Sequence, residues 1–173
     1  QNALFAIPDY LQQMVEKNML GSKTGKGFFF KDRNSPKGDI IALDLNTLEY
    51  REQVKPKFAT LEAAKKEEDL VKRIPVLYSG TDKAGEFYRK SFHALFAYVS
   101  HRIPEISDEL YKIDDALRAG FAWELGPFEY WDAIGVEKAV KDMEAAGVKM
   151  AAWVGDMLKA GHPQGDRPRL SRV

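Results

Sequence analysis

The 173-residue sequence has no cysteine, no long apolar segment and no excess charge of either sign. Without cysteine there are no disulfides, thiolate nucleophiles or cysteine-ligated metals. No apolar run approaches the roughly 20 residues that span a bilayer, and the N-terminus lacks a secretory signal pattern. The 26 basic and 26 acidic residues cancel, so no overall field attracts nucleic acid or an anionic membrane. We therefore expect neither partner, and we take the cytoplasm as the default location.

The residues that are present have the balance of a folded protein, with 45% apolar and 30% charged side chains. A chain of this length holds one domain with a full core, or one domain and a smaller appendage. Because it begins with Gln1 and not with Met, we expect a piece cut from a longer protein.

The first third of the chain changes from a helical to a strand pattern. Pro8 suits a first helical turn, and Gly21 suits a helix stop. Turn-forming clusters then separate short runs with strand composition. This pattern predicts a short helix followed by a small antiparallel β-meander, with strands near residues 28–30, 39–45 and 48–51 and a turn at 34–38.

From Phe58 onward the apolar spacing is helical. The first helix of this part is predicted to end at Pro75, and Thr81 and Asp82 are predicted to cap the next. Four further helices are predicted. The first runs from residues 107–108 to Gly120, the second from Pro127 to Gly135, the third from there to about residue 147, and the fourth over 150–159. The tail from Gly161, rich in Pro, Gly and Arg, is predicted to be frayed or linker-like. The fold class is therefore mainly α, with a small sheet near the N-terminus.

A glycine-rich segment, residues 21–27, invites comparison with a phosphate-binding loop. Only three residues separate Gly21 from Gly25, no Ser or Thr follows Lys26, and the order is helix then strand. A helix stop and a tight turn explain the segment better. No Gly-x-Gly-x-x-Gly fingerprint of a dinucleotide site occurs.

The titratable residues form no pattern typical of a catalytic or metal site. His93 and His101 share a helix eight residues apart, but no carboxylate completes a zinc motif with them or with His162. Ser79-Gly80 lacks the context of a nucleophile elbow. Five carboxylates invite an acid–base interpretation: Asp114, Asp115, Glu124, Glu129 and Asp132. Structural roles explain them better. Asp114 and Asp115 are neighbours on a helix and point in different directions, and the charge of Glu129 is favourable at a helix N-terminus.

Two segments are more specific. Residues 21–30, Gly-Ser-Lys-Thr-Gly-Lys-Gly-Phe-Phe-Phe, resemble the lysine-threonine-glycine-x-glycine-phenylalanine signature that ends the helical domain of 3-hydroxyacyl-CoA dehydrogenases. Residues 113–135 resemble the isoleucine-aspartate, glycine-phenylalanine and glycine-proline-phenylalanine-glutamate segment of the same domain. The resemblance implies a helical bundle similar to the C-terminal-like fold of 6-phosphogluconate dehydrogenase.

The order of these segments is reversed relative to one copy of the family domain, in which the glycine-proline-phenylalanine segment comes first. The resemblance therefore implies a duplicated, multifunctional-type member. Residues 1–57 are expected to be the tail of a first copy with its β-meander, and residues 58–173 a second copy. An enoyl-CoA hydratase domain follows in some similar proteins.

What the resemblance implies for chemistry is that the active residues lie upstream of Gln1. A histidine base, its glutamate and the Rossmann domain that binds NAD are all expected there, so we assign no catalytic, cofactor-binding or metal-binding residue to this chain. The expected partners are that Rossmann domain, the first helical copy, acyl-CoA through the parent enzyme, and a second subunit. Two alternatives remain open: a helical dimerisation module, and an acyl-CoA-binding domain that uses the aromatic stripe from Tyr88 to Val99.

Overall fold

The structure is a computed structural model that describes residues 6–32, 38–160 and 170. It divides into two units, Gln1–Pro56 and Lys57–Val173. It is mainly helical with a three-stranded antiparallel sheet near the N-terminus, which confirms the predicted fold class at this level. Residues 34–37 of the predicted turn, His162 and nearly all of the predicted tail lie outside the described residues. Across the described part of the chain, no helix is both long and apolar enough to cross a membrane.

The first unit consists of one helix and the sheet. Helix α1 spans Asp9–Glu16 and begins after Pro8, whose extended backbone forms the N-cap. A single 3₁₀ turn covers Ser22–Thr24. The strands are joined in the order β1-β2-β3, each antiparallel to the next, as the sequence predicts; they are β1 (Phe29–Lys31), β2 (Ile40–Leu43) and β3 (Tyr50–Glu52).

The sheet has one face toward a small core. In the register, Phe30 pairs with Ile41 and Leu43 pairs with Tyr50, so all four side chains lie on the same face. The rings of Phe30 and Tyr50 are 5.5 Å apart. Leu43 is buried from this face, and the remaining buried apolar residues of the cluster are Met14 and Met19.

The second unit is helical in all of its described elements, and it holds the larger core. The broad apolar stripe of α4 supplies the centre of that core, where Phe96 is fully buried and its ring stacks on Trp131 at 4.7 Å. The helices are α2 (Ala59–Ala64), α3 (Leu70–Ser79), α4 (Lys83–Ser100), α5 (Leu110–Phe121), α6 (Pro127–Ile134), α7 (Val136–Ala145) and α8 (Ala152–Ala160).

The prediction that a helix ends at Pro75 is wrong. The structure places Pro75 inside α3, and the chain instead breaks between α2 and α3. Asp69 caps the new helix by accepting a hydrogen bond from the Val71 amide at 2.9 Å. The guanidinium of Arg73 donates to the Glu67 and Glu68 carbonyls at 2.8 and 3.1 Å, which holds the break in place. These bonds set the boundary because they satisfy the groups at the helix end.

The predicted stop at Gly120 is also wrong by two residues. Helix α5 continues to Phe121, and the left-handed conformation that ends it belongs to Ala122, with φ 55° and ψ 33°. Gly120 therefore lies within the helix.

One carboxylate joins the starts of two helices. Asp82 is the predicted N-cap of α4, and its Oδ1 accepts from the Gly85 amide at 3.0 Å. Its Oδ2 accepts from the amide of Thr60, in the first turn of α2, at 2.9 Å. These two backbone hydrogen bonds lower the pKa of Asp82, and the bond from the Thr60 amide has the larger effect.

Candidate functional site

The glycine-rich segment in the first unit closes on itself. The Gly21 amide donates to the Lys26 carbonyl at 2.8 Å, and the Thr24 hydroxyl accepts from the Leu20 amide at 2.9 Å. Gly21 and Gly25 have φ values of 96° and 79°, which favour glycine. The turn therefore uses its polar groups internally, which fits a structural role and not a phosphate cradle.

A close backbone approach inside this turn and a hydrogen bond from the sheet fix its position. A Cβ at Gly27 would lie 2.8 Å from the Gly21 Cα, so glycine is required at Gly27. The Tyr50 hydroxyl donates to the Gly27 carbonyl at 2.7 Å. The family-like signature, residues 21–30, thus connects the segment after α1 to the sheet and holds the two together.

The described residues do not fit NAD by its usual route. That route requires parallel strands with a glycine-rich turn leading into a helix whose amides face the pyrophosphate. Here the described sheet is antiparallel throughout, and the glycine-rich turn leads into a strand.

The second family-like segment forms the junction between α5 and α6. Asp114, only 1% exposed, accepts a hydrogen bond through Oδ1 from the Phe128 amide at 2.9 Å. Glu129 accepts from the Gly126 amide at 2.7 Å and forms an ion pair with Arg118. Two carboxylates therefore satisfy amides at the start of α6, which is where negative charge is favoured.

Gly126 lets the two helices meet. A Cβ at this position would lie 2.3 Å from the Asp114 Cβ and 2.4 Å from its Cα, far inside van der Waals contact. Its φ of −82° is ordinary, so the requirement for glycine is steric and not conformational. The motif glycine is explained by the space that it leaves for Asp114.

Asp114 is electrostatically unusual. Burial raises its pKa to about 6, and the nearby Glu129 and Asp132 carboxylates add to the rise. The hydrogen bond from the Phe128 amide and the charge of Arg118 lower the pKa and offset part of this rise. Its Oδ2 is buried and has no hydrogen-bond partner within the described part of the chain. Near neutral pH the carboxylate is thus held at a cost in stability.

A second polar cluster crosses the helices α3, α4 and α7. The Tyr78 hydroxyl, fully buried, donates to the Asp142 carboxylate at 3.0 Å. It also lies 2.8 Å from Nε2 of His93. Because the single hydroxyl proton goes to Asp142, His93 must donate from Nε2, which requires a proton on that nitrogen. Burial lowers the pKa of His93, which favours its neutral form.

Charged neighbours complete the cluster. Lys138 donates to Asp142 at 2.7 Å, and its ammonium lies 4.5 Å from the centre of the Tyr78 ring. Burial alone would raise the pKa of Asp142, but the hydrogen bonds from Lys138 and Tyr78 hold it below its usual value. The Tyr–His–Asp arrangement looks like an acid–base relay, yet Tyr78 and His93 are only 0% and 5% exposed. It therefore acts as a polar crosslink.

Replacing Tyr78 with phenylalanine is expected to lower the free energy of unfolding by about 1–2 kcal/mol, because His93 and Asp142 each lose a buried partner. Urea denaturation at neutral pH measures this loss. Tyr88→Phe is the matched control, since that half-buried tyrosine makes no hydroxyl hydrogen bond within the described residues, and it is expected to change stability by under about 0.5 kcal/mol. Equal effects of the two substitutions would contradict the crosslink.

The other candidates from the sequence lie apart from these clusters. His101 is exposed at the end of α4, where its Nδ1 lies 2.9 Å from the Ala97 carbonyl, while His93 is buried. Asp115 points away from Asp114 and lies 3.1 Å from Arg118. Asp132 accepts from the Leu170 amide at 2.7 Å. Ser79 ends α3. Within the described residues, no group of three or more His, Asp or Glu side chains is arranged to hold a metal ion.

Tyr78 and Asp142 were not identifiable from the sequence. They are 64 residues apart, and the four-residue spacing of Lys138 and Asp142 indicates only a surface ion pair. The sequence did not single out Gly126 either, because glycine is one of the residues that commonly occupy the N-cap position.

Comparison with known proteins identifies relatives over most of the chain. It is 36% identical over 162 residues to the "Probable 3-hydroxyacyl-CoA dehydrogenase" of Bacillus subtilis, an alignment that covers 94% of this chain and 20% of that protein. It is 21% identical over 156 residues to the "Putative fatty acid oxidation complex trifunctional enzyme" of Rickettsia felis, which covers 84% of this chain and 19% of that protein. The protein of the same name from Rickettsia prowazekii is 24% identical over 119 residues, an alignment that covers 68% of this chain and 15% of that protein.

The chain spans about one fifth of the length of the first two relatives. No family model matches it, and no solved structure does. The 162-residue alignment is long enough to include both motif segments, the turn at 21–30 and the α5–α6 junction. The resemblance recognised from those motifs is therefore confirmed: over 94% of its length, the chain is homologous to one part of a protein named as a 3-hydroxyacyl-CoA dehydrogenase.

Proposed function

We propose that this chain is a helical, C-terminal part of an enzyme that oxidises 3-hydroxyacyl-CoA to 3-oxoacyl-CoA in fatty-acid β-oxidation. The observation that carries the proposal is the 36% identity to the Bacillus subtilis protein over 94% of the chain. In the parent enzyme, NAD is bound by an upstream Rossmann domain. The chain itself packs against neighbouring domains or subunits and supports the acyl-CoA cleft.

Within the parent, residues 1–57 end a first copy of the helical domain and residues 58–173 form most of a second. The reversed order of the two motifs supports this duplication. The division of the structure between Pro56 and Lys57 lies one residue from this proposed boundary and is compatible with it. The bundle of the second copy belongs to the C-terminal-like fold of 6-phosphogluconate dehydrogenase.

The first unit supports a packing role. Only three large apolar residues are buried in its described core. More of its described large apolar side chains are exposed, which leaves apolar surface available to a neighbouring domain or subunit; these are Ile7, Val15, Leu20, Phe28, Phe29, Ile40, Leu45 and Val54. The same exposure favours the alternative of a dimerisation module. Light scattering during size-exclusion chromatography separates the two, because a monomer at all concentrations rules out the dimer.

The alternative of acyl-CoA binding by the aromatic stripe has less support. Phe92 and Phe96 are buried in the core, and Tyr88 and Leu95 pack against it. Core packing accounts for this stripe.

The chain alone is expected to show no NADH-dependent reduction of acetoacetyl-CoA, because the described residues do not form a dinucleotide site of the usual kind. Loss of NADH absorbance at 340 nm measures the reaction. A complete 3-hydroxyacyl-CoA dehydrogenase under the same conditions is the positive control. Turnover above the enzyme-free rate that scales with the concentration of this chain would overturn the assignment of the chemistry to another domain.

A further inference from the structure

A cavity of about 330 Å³ lies between the end of α4, the loop after it and the start of α5. Val99 and Ile113 are buried and form its apolar floor. Tyr98 and Ile106 are 37% and 67% exposed and stand at its edge. The cavity is separate from the polar clusters at Asp114 and Tyr78. Part of its lining, Ile113, Ala116 and Leu117, lies in the second family-like segment, but the resemblance assigns no ligand to that part.

Two cations line the same cavity, Arg102 and Lys112. The guanidinium carbon of Arg102 lies 5.3 Å from the Tyr98 ring centre, which holds the side chain against the wall. Its Nε is buried and has no hydrogen-bond partner among the described residues. A buried donor without an acceptor is costly, so a rotation of the guanidinium that brings Nε to a ligand oxygen would relieve that cost.

Both cations are already in ion pairs, but with exchangeable partners. Arg102 lies 2.6 Å from Glu105, whose side chain is 63% exposed, and Lys112 lies 2.9 Å from Glu109, which is 47% exposed. Exposed pairs of this kind contribute little to stability. A ligand carboxylate can therefore displace Glu105 from Arg102, and a guanidinium binds a carboxylate through two parallel hydrogen bonds.

We propose that this cavity binds a medium-chain fatty carboxylate, with the alkyl chain on the apolar floor and the carboxylate on Arg102 and Lys112. The volume is at the lower end of the roughly 300–1,000 Å³ typical of small-molecule sites, so it suits an alkyl chain but not a nucleotide-bearing thioester. The proposal does not depend on the enzymatic assignment of the parent.

Isothermal titration calorimetry with sodium decanoate, below its aggregation concentration, tests the site. Saturable binding with one ligand per chain is expected. Ala116→Trp places a large side chain on a residue that lines the cavity and is expected to weaken binding about tenfold or more. Ala63→Trp makes the same change at an exposed alanine of α2 outside the lining and is expected to leave binding unchanged.

The headgroup is tested by Arg102→Gln with decanol as the uncharged comparison. The wild-type chain is expected to prefer decanoate over decanol, and Arg102→Gln is expected to reduce that preference about tenfold while retaining decanol binding. Circular dichroism confirms that each variant is folded. The proposal would be overturned if decanoate did not bind or if Ala116→Trp left its binding unchanged. It would also be overturned if Ala63→Trp weakened binding as much as Ala116→Trp, because an equal loss indicates adsorption to apolar surface.

Discussion

Replacing Gly126 with alanine is expected to lower the free energy of unfolding by about 3 kcal/mol or more. The added Cβ would lie 2.3–2.4 Å from atoms of Asp114 that include its Cα. Backbone cannot move aside as a flexible side chain can, so α5 and α6 must separate. The separation would also stretch the bond from the Phe128 amide to Asp114, now 2.9 Å. Urea denaturation monitored by circular dichroism measures the loss.

Gly120→Ala is the matched control for this substitution. Gly120 lies within α5, and a Cβ there would meet no atom within 4 Å. Alanine is favoured over glycine in a helix interior, so this variant is expected to be more stable than wild type by about 0.5–1 kcal/mol. The two glycine-to-alanine changes should therefore have opposite signs. A loss below about 1 kcal/mol for Gly126→Ala would show that the close approach to Asp114 is wrong.

Asp114→Asn is expected to stabilise the protein by about 2–3 kcal/mol at about pH 8 and by little at about pH 4. Burial raises the pKa of Asp114 from 3.8 to about 6, so the folded state binds the proton more tightly than the unfolded state does. The stability from this group is complete below pH 3.8 and is lost as pH rises through about 6. Asparagine stays neutral at every pH and keeps an acceptor for the Phe128 amide.

Chemical denaturation from about pH 4 to 8 measures this effect, with Asp115→Asn as the control on the same helix. The Asp115 side chain is 54% exposed, so its replacement is expected to change stability by at most about 1 kcal/mol. The difference between Asp114→Asn and wild type should grow as pH rises. A constant difference would show that Asp114 does not titrate with a raised pKa.

Much of the fold could be predicted from the sequence, because local patterns determine it. The β-meander follows from short apolar runs between turn clusters, and the starts of α4 and α6 follow from Asp82 and Pro127. The break between α2 and α3 could not be predicted in this way. It depends on the Arg73 side chain, which donates to the carbonyls of Glu67 and Glu68. The general rule that proline ends a helix considers no such contacts and therefore assigns the boundary to Pro75.

The polar clusters were less accessible to prediction. Residues 113–135 were recognised as a family-like segment, but the pattern did not show that Gly126 is needed to make room for Asp114. His93 and His101 are equivalent candidates in the sequence, and only the packing of α3 and α7 makes the first a buried donor to Tyr78. Such contacts join residues far apart in the chain, so no local periodicity reveals them.

The two hydrogen bonds of Asp82 have a consequence for local unfolding. This carboxylate satisfies an amide at the start of α2 and another at the start of α4. Motion of the chain at Asp82 therefore removes a cap from both helices together. Residues 59–64 and the first turn of α4 are therefore expected to open together, although 18 residues of chain and the whole of α3 lie between Ala64 and Lys83.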